Sequence, residues 1–489
     1  MTTDQIHTIE QNDISSKVGR NKELMYSAVR VFISWLGNKL HEIHTIHVCV
    51  GHGNNGADGI LIAEKLAIQG YKVIIYSNLE SNSFSELFVN HLERIKNIKC
   101  LTLCSFNQFT PISSSSEIVI DALLGIGVNR ALRGVYKKMV NQMNLSKAPI
   151  YSVDIPSGLY GEGVTDSPTI KANATCSFEF PKLSFFQKEN QSSLGEWCFK
   201  SIDIDQLEID KIKSNRRLID NKLVNSTLKK RENFSHKGTY GHVGIIAGEY
   251  GMAGAAILCG RSCLRTGVGL ITMHGCQDNR IILQAKLPES LFINITKYRY
   301  DDNVQYLIGP GIERDENFKN VLKDIIISSK SPVVIDAGAL NYISRNKNFL
   351  NKISTNSILT PHPKEFSRLF GNTSNSHERL LRQVEKSKEH NVIIVLKDHF
   401  TTITTPDGMV YYNMTGNAGL ATGGSGDVLT GIIGAFLAQG YSPIQAAYLG
   451  VYIHGRAADC YVNQYDMLSL TPSGVVENIQ NVIKEFYDS

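Results

Sequence analysis

At 489 residues the chain is longer than one hydrophobic core can fill, so length alone predicts several cores, roughly two to four domains. The 42% hydrophobic and 20% charged composition is that of a globular protein, and 50 basic against 46 acidic residues exclude the basic excess of a nucleic-acid binder. Met1 to Ser16 lacks the basic start and apolar run of a signal peptide. The longest apolar stretches, such as Ile118 to Ile126 and Val392 to Leu396, break well short of the roughly 20 residues that span a bilayer. Nine scattered cysteines without a Cys-x-x-Cys pair fit reduced core thiols better than disulfides or a zinc site. These features predict a cytoplasmic protein with no nucleic-acid and no membrane partner.

In chain order, short apolar runs at Ile46 to Val50, Val73 to Ser77, Ile118 to Ala122 and Ile150 to Val153 alternate with helical patterns, which predicts a parallel sheet with crossover helices. Between Leu207 and His236 the chain turns polar and basic, and we place a linker at 209–224, separating domains over 1–208 and 225–489. A second alternating series follows at His242 to Ala247, Gln305 to Ile308, Pro332 to Asp336, Ser357 to Leu359 and Val392 to Lys397. It closes with helical patterns after Gly426 and from Ser473 to Phe486. The fold class is therefore α/β in both halves, with chemistry expected where strands end and helices begin.

In the first half the strand Ile46 to Val50 leads into Gly51, Gly53 and Gly56 and then the helical run Gly59 to Ala67. This is G-x-G-x-x-G in its strand-to-helix setting, where glycines admit close backbone approach and a helix N-terminus offers unpaired N–H groups to phosphate. A tight turn without ligand can carry the same fingerprint, but Asn54, Asn55 and Asp58 exceed what a turn needs; they can orient an amide, hold a cation or move a proton. Asp121, which opens Asp-Ala-Leu-Leu-Gly-Ile-Gly127, and Asp154, which opens Asp-Ile-Pro-Ser-Gly158, close two further strands. In a parallel sheet these ends share one edge, so Asp58, Asp121, Asp154 and Ser157 can converge; each carboxylate alone could equally cap a helix.

These three segments, in this order, resemble the NAD(P)H-hydrate epimerase family over about residues 20 to 205. The resemblance implies a Rossmann-like three-layer domain that binds potassium and interconverts the R and S forms of hydrated NADH and NADPH (NADHX and NADPHX). It implies potassium ligands at Asn55, Asp121 and Ser157. Substrate contacts are implied at Asn54, Asn55, Gly56, Ala57 and Asp58 and at Gly125, Ile126, Gly127, Val128, Asn129, Arg130 and Ala131. Asp154 is implied near the nicotinamide ring, where one carboxylate can shuttle the proton that reversible loss of the ring hydroxyl requires. Ala57 stands where the family more often has glycine, which matters only if the backbone there needs a positive φ.

In the second half the strongest signal is Asn417 to Asp427, with Gly423, Gly424 and Gly426 just before the helical run Val428 to Leu437. N–H groups of Gly424, Ser425 and Gly426 can hold a transferring phosphoryl group while Asp427 deprotonates the attacking hydroxyl. The plain alternative is a glycine-rich helix start with a first-turn carboxylate. A P-loop is excluded, because no GxxxxGK[ST] occurs. Further segments at His236 to Gly241, Gly248 to Ala256, Gly309 to Gly311, Asp336 to Asn341, Thr360 to Glu365 and Val395 to Lys397 complete the set.

Together these segments resemble, over about residues 225 to 486, the ADP- or ATP-dependent NAD(P)HX dehydratase, a ribokinase-like α/β family. The resemblance implies substrate contacts at Ala255, Gly311, His362 and Asp427, with Asp427 catalytic. It implies nucleotide contacts at Lys397, Asp398, His399, Phe400, Thr401 and Gly426, joined by Gly424 and Ser425. It also implies a magnesium requirement, ADP as the nucleotide, and a homo-oligomer. His362 lies between Pro361 and Pro363 in an extended turn, a poor place for a core histidine, which favours ligand contact. Glu313, Lys364 and Asp398 depart from the usual pattern, and Glu313 and Asp398 add negative charge at an anion site. Two other classes share these features: a small-molecule kinase with a regulatory N-terminal module, and a non-catalytic sensor of cofactor level. The N-terminal Asn55, Asp121 and Ser157 set argues against the first, and Asp427 beside an anion hole against the second.

Overall fold

Runs of valine and isoleucine bounded by glycine become the central strands of two sheets in a computed structural model that describes residues 1–78, 94–95 and 98–487. The chain divides into one unit of Met1–Ser214 with Asn375–His377 and a second of Asn215–Ser374 with Glu378–Ser489. In the first unit the strands are β1 Thr45–Val50, β2 Lys72–Ser77, β3 Leu101–Ser105, β4 Glu117–Ala122, β5 Ile150–Val153, β6 Ala174–Phe178 and β7 Glu196–Lys200. All pair in parallel, in the order β3-β2-β1-β4-β5-β6-β7. Strand residues alternate between two faces. Ile46, Val48 and Val50 pack with Phe32 and Leu36 of the helix Arg20–Gly37 and Ile60 and Leu66 of the helix Asn54–Ile68. Cys49 and Val119 face Met139, Val140 and Met143 of the helix Gly134–Asn144. The result is a three-layer sandwich whose strand order reverses between β1 and β4, the place where such sheets open a crevice at their carboxyl ends.

The second unit holds β8 Arg216–Ile219, β9 His242–Ile246, β10 Leu270–Gly275, β11 Leu291–Asn294, β12 Gln305–Ile308, β13 Val334–Ile335, β14 Ile358–Leu359, β15 Ile393–Leu396, β16 Thr402–Thr404 and β17 Val410–Asn413. Their order is β11-β10-β9-β12-β13-β14-β15-β16-β17-β8. The strands are parallel except where β16 runs antiparallel to β15 and β17. Helices Ala253–Arg265, Ser425–Ala438, Pro443–Val462 and Pro472–Tyr487 cover one face, and Glu316–Ser328, Ala337–Arg345 and Pro363–Phe370 the other. Among the described residues no helix is long and apolar enough to cross a membrane.

The segment expected to be a linker, 209–224, is structured. Gln206–Lys211 is a short helix, and Arg216–Ile219 pairs with β17 from Arg216 opposite Val410 to Ile219 opposite Asn413. Asp220 then caps the helix Asn221–Thr227 by accepting the Leu223 N–H at 2.8 Å. The basic residues misled because only Ile219 of this edge strand is buried, so arginines cost nothing on the open face.

Gly431 marks the closest approach of two helices: a β-carbon there would lie 2.3 Å from the Cys259 carbonyl and 2.0 Å from Ser262 Oγ. Gly431→Ala is expected to cost about 1–3 kcal/mol through overpacking in a thermal or denaturant unfolding experiment. Gly254→Ala, whose β-carbon meets nothing within 4 Å, is expected to leave stability unchanged or raised.

Candidate active sites

In the first unit the helix begins at Asn54, directly after the glycine turn, so Asn54 to Asp58 form its first turn. A β-carbon on Gly51 would sit 1.8 Å from the Leu123 carbonyl and one on Gly56 1.9 Å from the Gly51 carbonyl. These two glycines let the turn close against β4. Gly53 and Asn54 are exposed, Asn55, Gly56 and Ala57 buried, and Asp58 partly exposed. Ala57 lies inside the helix and is not among the residues of positive φ, so its methyl group needs no glycine-like backbone.

Asp121, the penultimate residue of β4, is fully buried. Its Oδ1 accepts from Ser157 Oγ at 2.6 Å and Leu123 N at 3.3 Å, and its Oδ2 from Ser152 Oγ and Ser157 N, both at 2.8 Å. Burial still raises its pKa against those four donors, as desolvation of a charged form does. Asn55 Nδ2 donates to the Leu124 carbonyl at 3.0 Å, and Ser157 Oγ reaches the same carbonyl at 3.2 Å. Asn55, Asp121 and Ser157 are thus brought together around Leu124, and Asp121 caps no helix. The loop from Gly125 to Ala131 passes Asn55, with a β-carbon on Gly125 placed 3.4 Å from Asn55 Cβ. Ile126 is buried, while Gly127, Asn129, Arg130 and Ala131 are exposed and Val128 half-buried.

Asp154 takes a left-handed φ of 64°, a conformation that a residue with a β-carbon holds only when its surroundings over-determine it. The determinants are visible. Its N–H donates to the Cys176 carbonyl at 2.9 Å. Its Oδ1 accepts from Phe178 N at 2.9 Å, Ser177 Oγ at 3.2 Å and Lys182 Nζ at 2.6 Å. Lys182 is 2% exposed and also donates to the Phe178 and Phe180 carbonyls. Burial, joined by the charges of Asp154 and of Glu10 on the helix Thr3–Ser16, raises the Asp58 carboxyl well above its ordinary range.

In the second unit Gly424 has φ 97° and caps the helix Ser425–Ala438. Asp336, 1% exposed, directly follows β13 and accepts from Lys397 Nζ at 2.8 Å and Thr430 Oγ1 at 2.8 Å. Lys397 Nζ would lie 3.2 Å from a β-carbon on Gly426, so an ammonium group stands over the helix N-terminus, where unpaired N–H groups already favour an anion. Asp427, one residue further on, is pushed up to about 7 by burial and by the Asp336 charge, against Lys397. A carboxyl that titrates near neutrality is matched to general-base work.

A cavity of about 750 Å³ gathers these groups: Asp336, Lys397 and Gly424 to Asp427 line it with His362, Asp398, His399 and Thr401. Phe400 is not among the lining residues; its ring packs on His399 at 4.4 Å. Ala255 and Gly311 meet one another instead, a β-carbon on Gly311 lying 3.0 Å from Ala255 Cβ, and neither lines this cavity. His362 is extended as expected, but its Nδ1 accepts the Lys364 and Glu365 N–H groups at 3.1 and 3.4 Å and so caps the helix Pro363–Phe370. That leaves Nε2 as the protonated nitrogen. The Asp398 charge is balanced by Arg379 at 2.8 Å, and Glu313 is 64% exposed with Arg314 beside it at 3.8 Å. Neither needs Lys364, which is exposed.

The sequence comparisons match the two halves separately. A family model described as NAD(P)H-hydrate dehydratase matches residues 243–481, and one described as YjeF-related protein N-terminus matches residues 21–184. The bifunctional NAD(P)H-hydrate repair enzyme of Moorella thermoacetica is 32% identical over 462 residues, covering 90% of this chain and 87% of that protein. The chain belongs to the bifunctional NAD(P)H-hydrate repair enzyme family. A solved ribokinase-like superfamily protein from Enterococcus faecalis shares 26% identity at a TM-score of 0.51, over 56% of this chain and 98% of that one. The ADP/ATP-dependent NAD(P)H-hydrate dehydratase of Bacillus subtilis, co-crystallised with ATP and magnesium, is 31% identical over 55% of this chain and 98% of that one, with a TM-score of 0.49.

In this member of the repair-enzyme family several polar groups escaped sequence reasoning. Lys182 follows a proline in an unremarkable polar stretch; its only cue is a lysine set just before the apolar Leu183, Phe185 and Phe186. His454 sits mid-helix, 8% exposed, with Nε2 3.2 Å from Ser425 Oγ, and burial lowers its pKa to about 4. Asp459 accepts from Gly416 N and Asn417 Nδ2, both at 2.9 Å, and so pins the loop that edges the cavity. Lys182→Met removes one partner of a buried ion pair and is expected to destabilise the first unit by about 3–5 kcal/mol. Urea unfolding checks this, and a loss under about 1 kcal/mol would place the pair among those worth no more than surface pairs.

Proposed function

We propose that the chain repairs hydrated NADH and NADPH: the first unit interconverts the R and S epimers, and the second dehydrates the S epimer at the expense of ADP or ATP. The observation that carries this is Asp427, a carboxyl titrating near 7, placed one residue after Gly426 under the Lys397 ammonium. In the second unit Asp427 takes the proton of the ring hydroxyl, whose oxygen attacks the terminal phosphorus of the nucleotide. The Gly424 to Gly426 turn and Lys397 receive the charge of the transferred group. The ring nitrogen then expels phosphate from the adjacent carbon, and proton loss from the next carbon restores the dihydronicotinamide. One nucleotide is cleaved per water removed. Lys397 to Thr401 are assigned to the nucleotide, His362 and Asp427 to the hydrated ring. Ala255 and Gly311 are assigned to the remainder of the dinucleotide. Magnesium bound with the nucleotide would neutralise phosphate charge. Of the carboxylates that line the cavity, Asp336 and Asp427 would hold it, with phosphate oxygens supplying most of its ligands.

In the first unit Asp58 and Asp154 form an unequal pair: burial and the Asp154 charge push the Asp58 carboxyl well above its ordinary range, whereas Asp154 is ion-paired with Lys182. Such a separation assigns a proton donor and a proton acceptor to one site. They serve reversible loss of the ring hydroxyl and its return to the opposite face. Asn55, Asp121 and Ser157 supply amide, carboxylate and hydroxyl oxygens of the kind a potassium ion takes. Each Asp121 oxygen already accepts two bonds, so Asp121 contributes chiefly its negative charge. Asn54, Asp58 and the Gly125 to Ala131 loop are assigned to substrate.

The test supplies purified protein with mixed NADHX epimers, magnesium, potassium and ADP or ATP and follows recovery of dihydronicotinamide absorbance. Complete recovery is expected. Rapid recovery of half followed by a slow remainder would remove the epimerase reading. No recovery with either nucleotide would favour a kinase acting on another hydroxyl. Dehydratase kcat/KM is expected to rise with pH through about 7, and Asp427→Asn to lose about 10²–10⁴-fold. The folded-state value lies above the ordinary carboxylate range, so folding favours the protonated form. That stability is complete below about pH 4 and is lost as pH rises through the folded value. Asp427→Asn is therefore expected to raise Tm more at alkaline than at acid pH, a comparison that thermal unfolding provides.

A further inference from the structure

Two cysteines that the proposed chemistry leaves unused face each other across the edge of the first sheet. Cys176 of β6 and Cys198 of β7 are direct register partners, and β7 ends the sheet. Residues opposite one another on parallel strands lie about 4.7–4.9 Å apart, inside the about 4.4–6.8 Å window of α-carbon separations that a disulfide spans. Both side chains pack in one apolar cluster on the same face of the sheet, Cys176 being fully buried and Cys198 half-buried. One thiol is therefore reachable and the other stands behind it. The Cys176 hydrogen bond, with Lys200 and Lys39 nearby, lowers the Cys198 thiol against burial, while the Cys176 thiol is raised. Cys259 and Cys263 are also neighbours, but both are fully buried within one helix and offer an oxidant no entry.

The same strand holds the Asp154 carboxylate. Cys176 accepts the Asp154 N–H through its carbonyl, and the next two residues, Ser177 and Phe178, donate to Oδ1. Closing a disulfide draws β-carbons in to about 3.8 Å, so β6 must shift toward β7 where it anchors Asp154.

We propose that Cys176 and Cys198 are an oxidisable dithiol, closed to a disulfide by peroxide and reopened by a dithiol reductant, whose closure displaces the anchors of Asp154. The Cys198 thiolate attacks a peroxide oxygen and becomes a sulfenic acid as the second oxygen leaves as water. The Cys176 sulfur then displaces the sulfenic hydroxyl as a second water. Two thiols and one hydrogen peroxide give one disulfide and two waters, the two electrons passing from sulfur to oxygen. The dithiol stands independently of the epimerase reading, and only its effect on turnover rests on it.

The full chain is treated with a small excess of hydrogen peroxide, and its proteolytic peptides are mapped by mass spectrometry before and after dithiothreitol. A Cys176–Cys198 cross-link two hydrogens lighter than the reduced pair is expected, reversed by the reductant and absent in Cys198→Ser and Cys176→Ser. Amide exchange at Ser177 and Phe178 is expected to change on oxidation. Epimerisation is expected to slow about fivefold or more, the low end of coupling between linked sites, with dehydration unchanged. A dose that modifies the exposed Cys100 without producing the cross-link overturns the proposal, as does a cross-link that leaves exchange at Ser177 and Phe178 unaltered. An untreated enzyme that does not epimerise would count against the epimerase reading alone, because cross-link and exchange decide the dithiol.

Discussion

Two carboxylates at the ends of central strands have been taken out of water, and the arrangement of both sites follows from how that is compensated. Asp121 and Asp336 are each essentially without solvent contact, a state that costs several kcal/mol per ion unless donors replace the lost hydration. The donors come from elsewhere in the sequence: Ser152, Ser157 and Leu123 for Asp121, Lys397 and Thr430 for Asp336. Each carboxylate therefore ties one strand end to loops that follow other strands. Asn55, Leu124 and Ser157 are held in reach of one another by the first tie, and Lys397, Gly426 and Asp427 by the second.

The two units then use charge differently. Around Asp154 a buried ammonium group, that of Lys182, pairs with the carboxylate. Around Asp427 burial and a second carboxylate, Asp336, oppose ionisation, and the lysine shared with Asp336 offsets them only in part. The left-handed backbone at Asp154, directly after β5, is local strain at the point where that carboxylate is aimed.

The central strands were legible because they are largely buried and read as short, mostly apolar runs rich in valine and isoleucine. The expected strand Gln305 to Ile308 agrees with β12 residue for residue. The strands that went unread are β3, β6, β7, β8, β10, β11, β16 and β17: β3, β7, β8 and β11 lie toward sheet edges with residues open to solvent, whereas β6 and β10 are buried but their apolar runs are broken by Thr175 and Ser177 and by Thr272 and His274. The glycine turns and strand-end carboxylates were legible for a related reason, since close backbone approach and buried charge admit few residue types. Lys182 and His454 were not, because a buried lysine or a mid-helix histidine is identified only by what packs around it. His362 shows the converse: its extended turn was legible, but its helix-capping bonds to Lys364 and Glu365 appear only in three dimensions.

Placing Arg216–Ile219 at the border of the second sheet sets where the polypeptide can be cut. A dehydratase half begun at residue 225, where the sequence alone puts the boundary, would discard β8 and bare the hydrogen-bonding side of β17 from Val410 to Asn413. An uncovered strand of that kind templates pairing with other chains. Cutting between Ser214 and Asn215 keeps the border strand with the sheet it completes, and a gene dissected for separate expression of the two halves is best divided there.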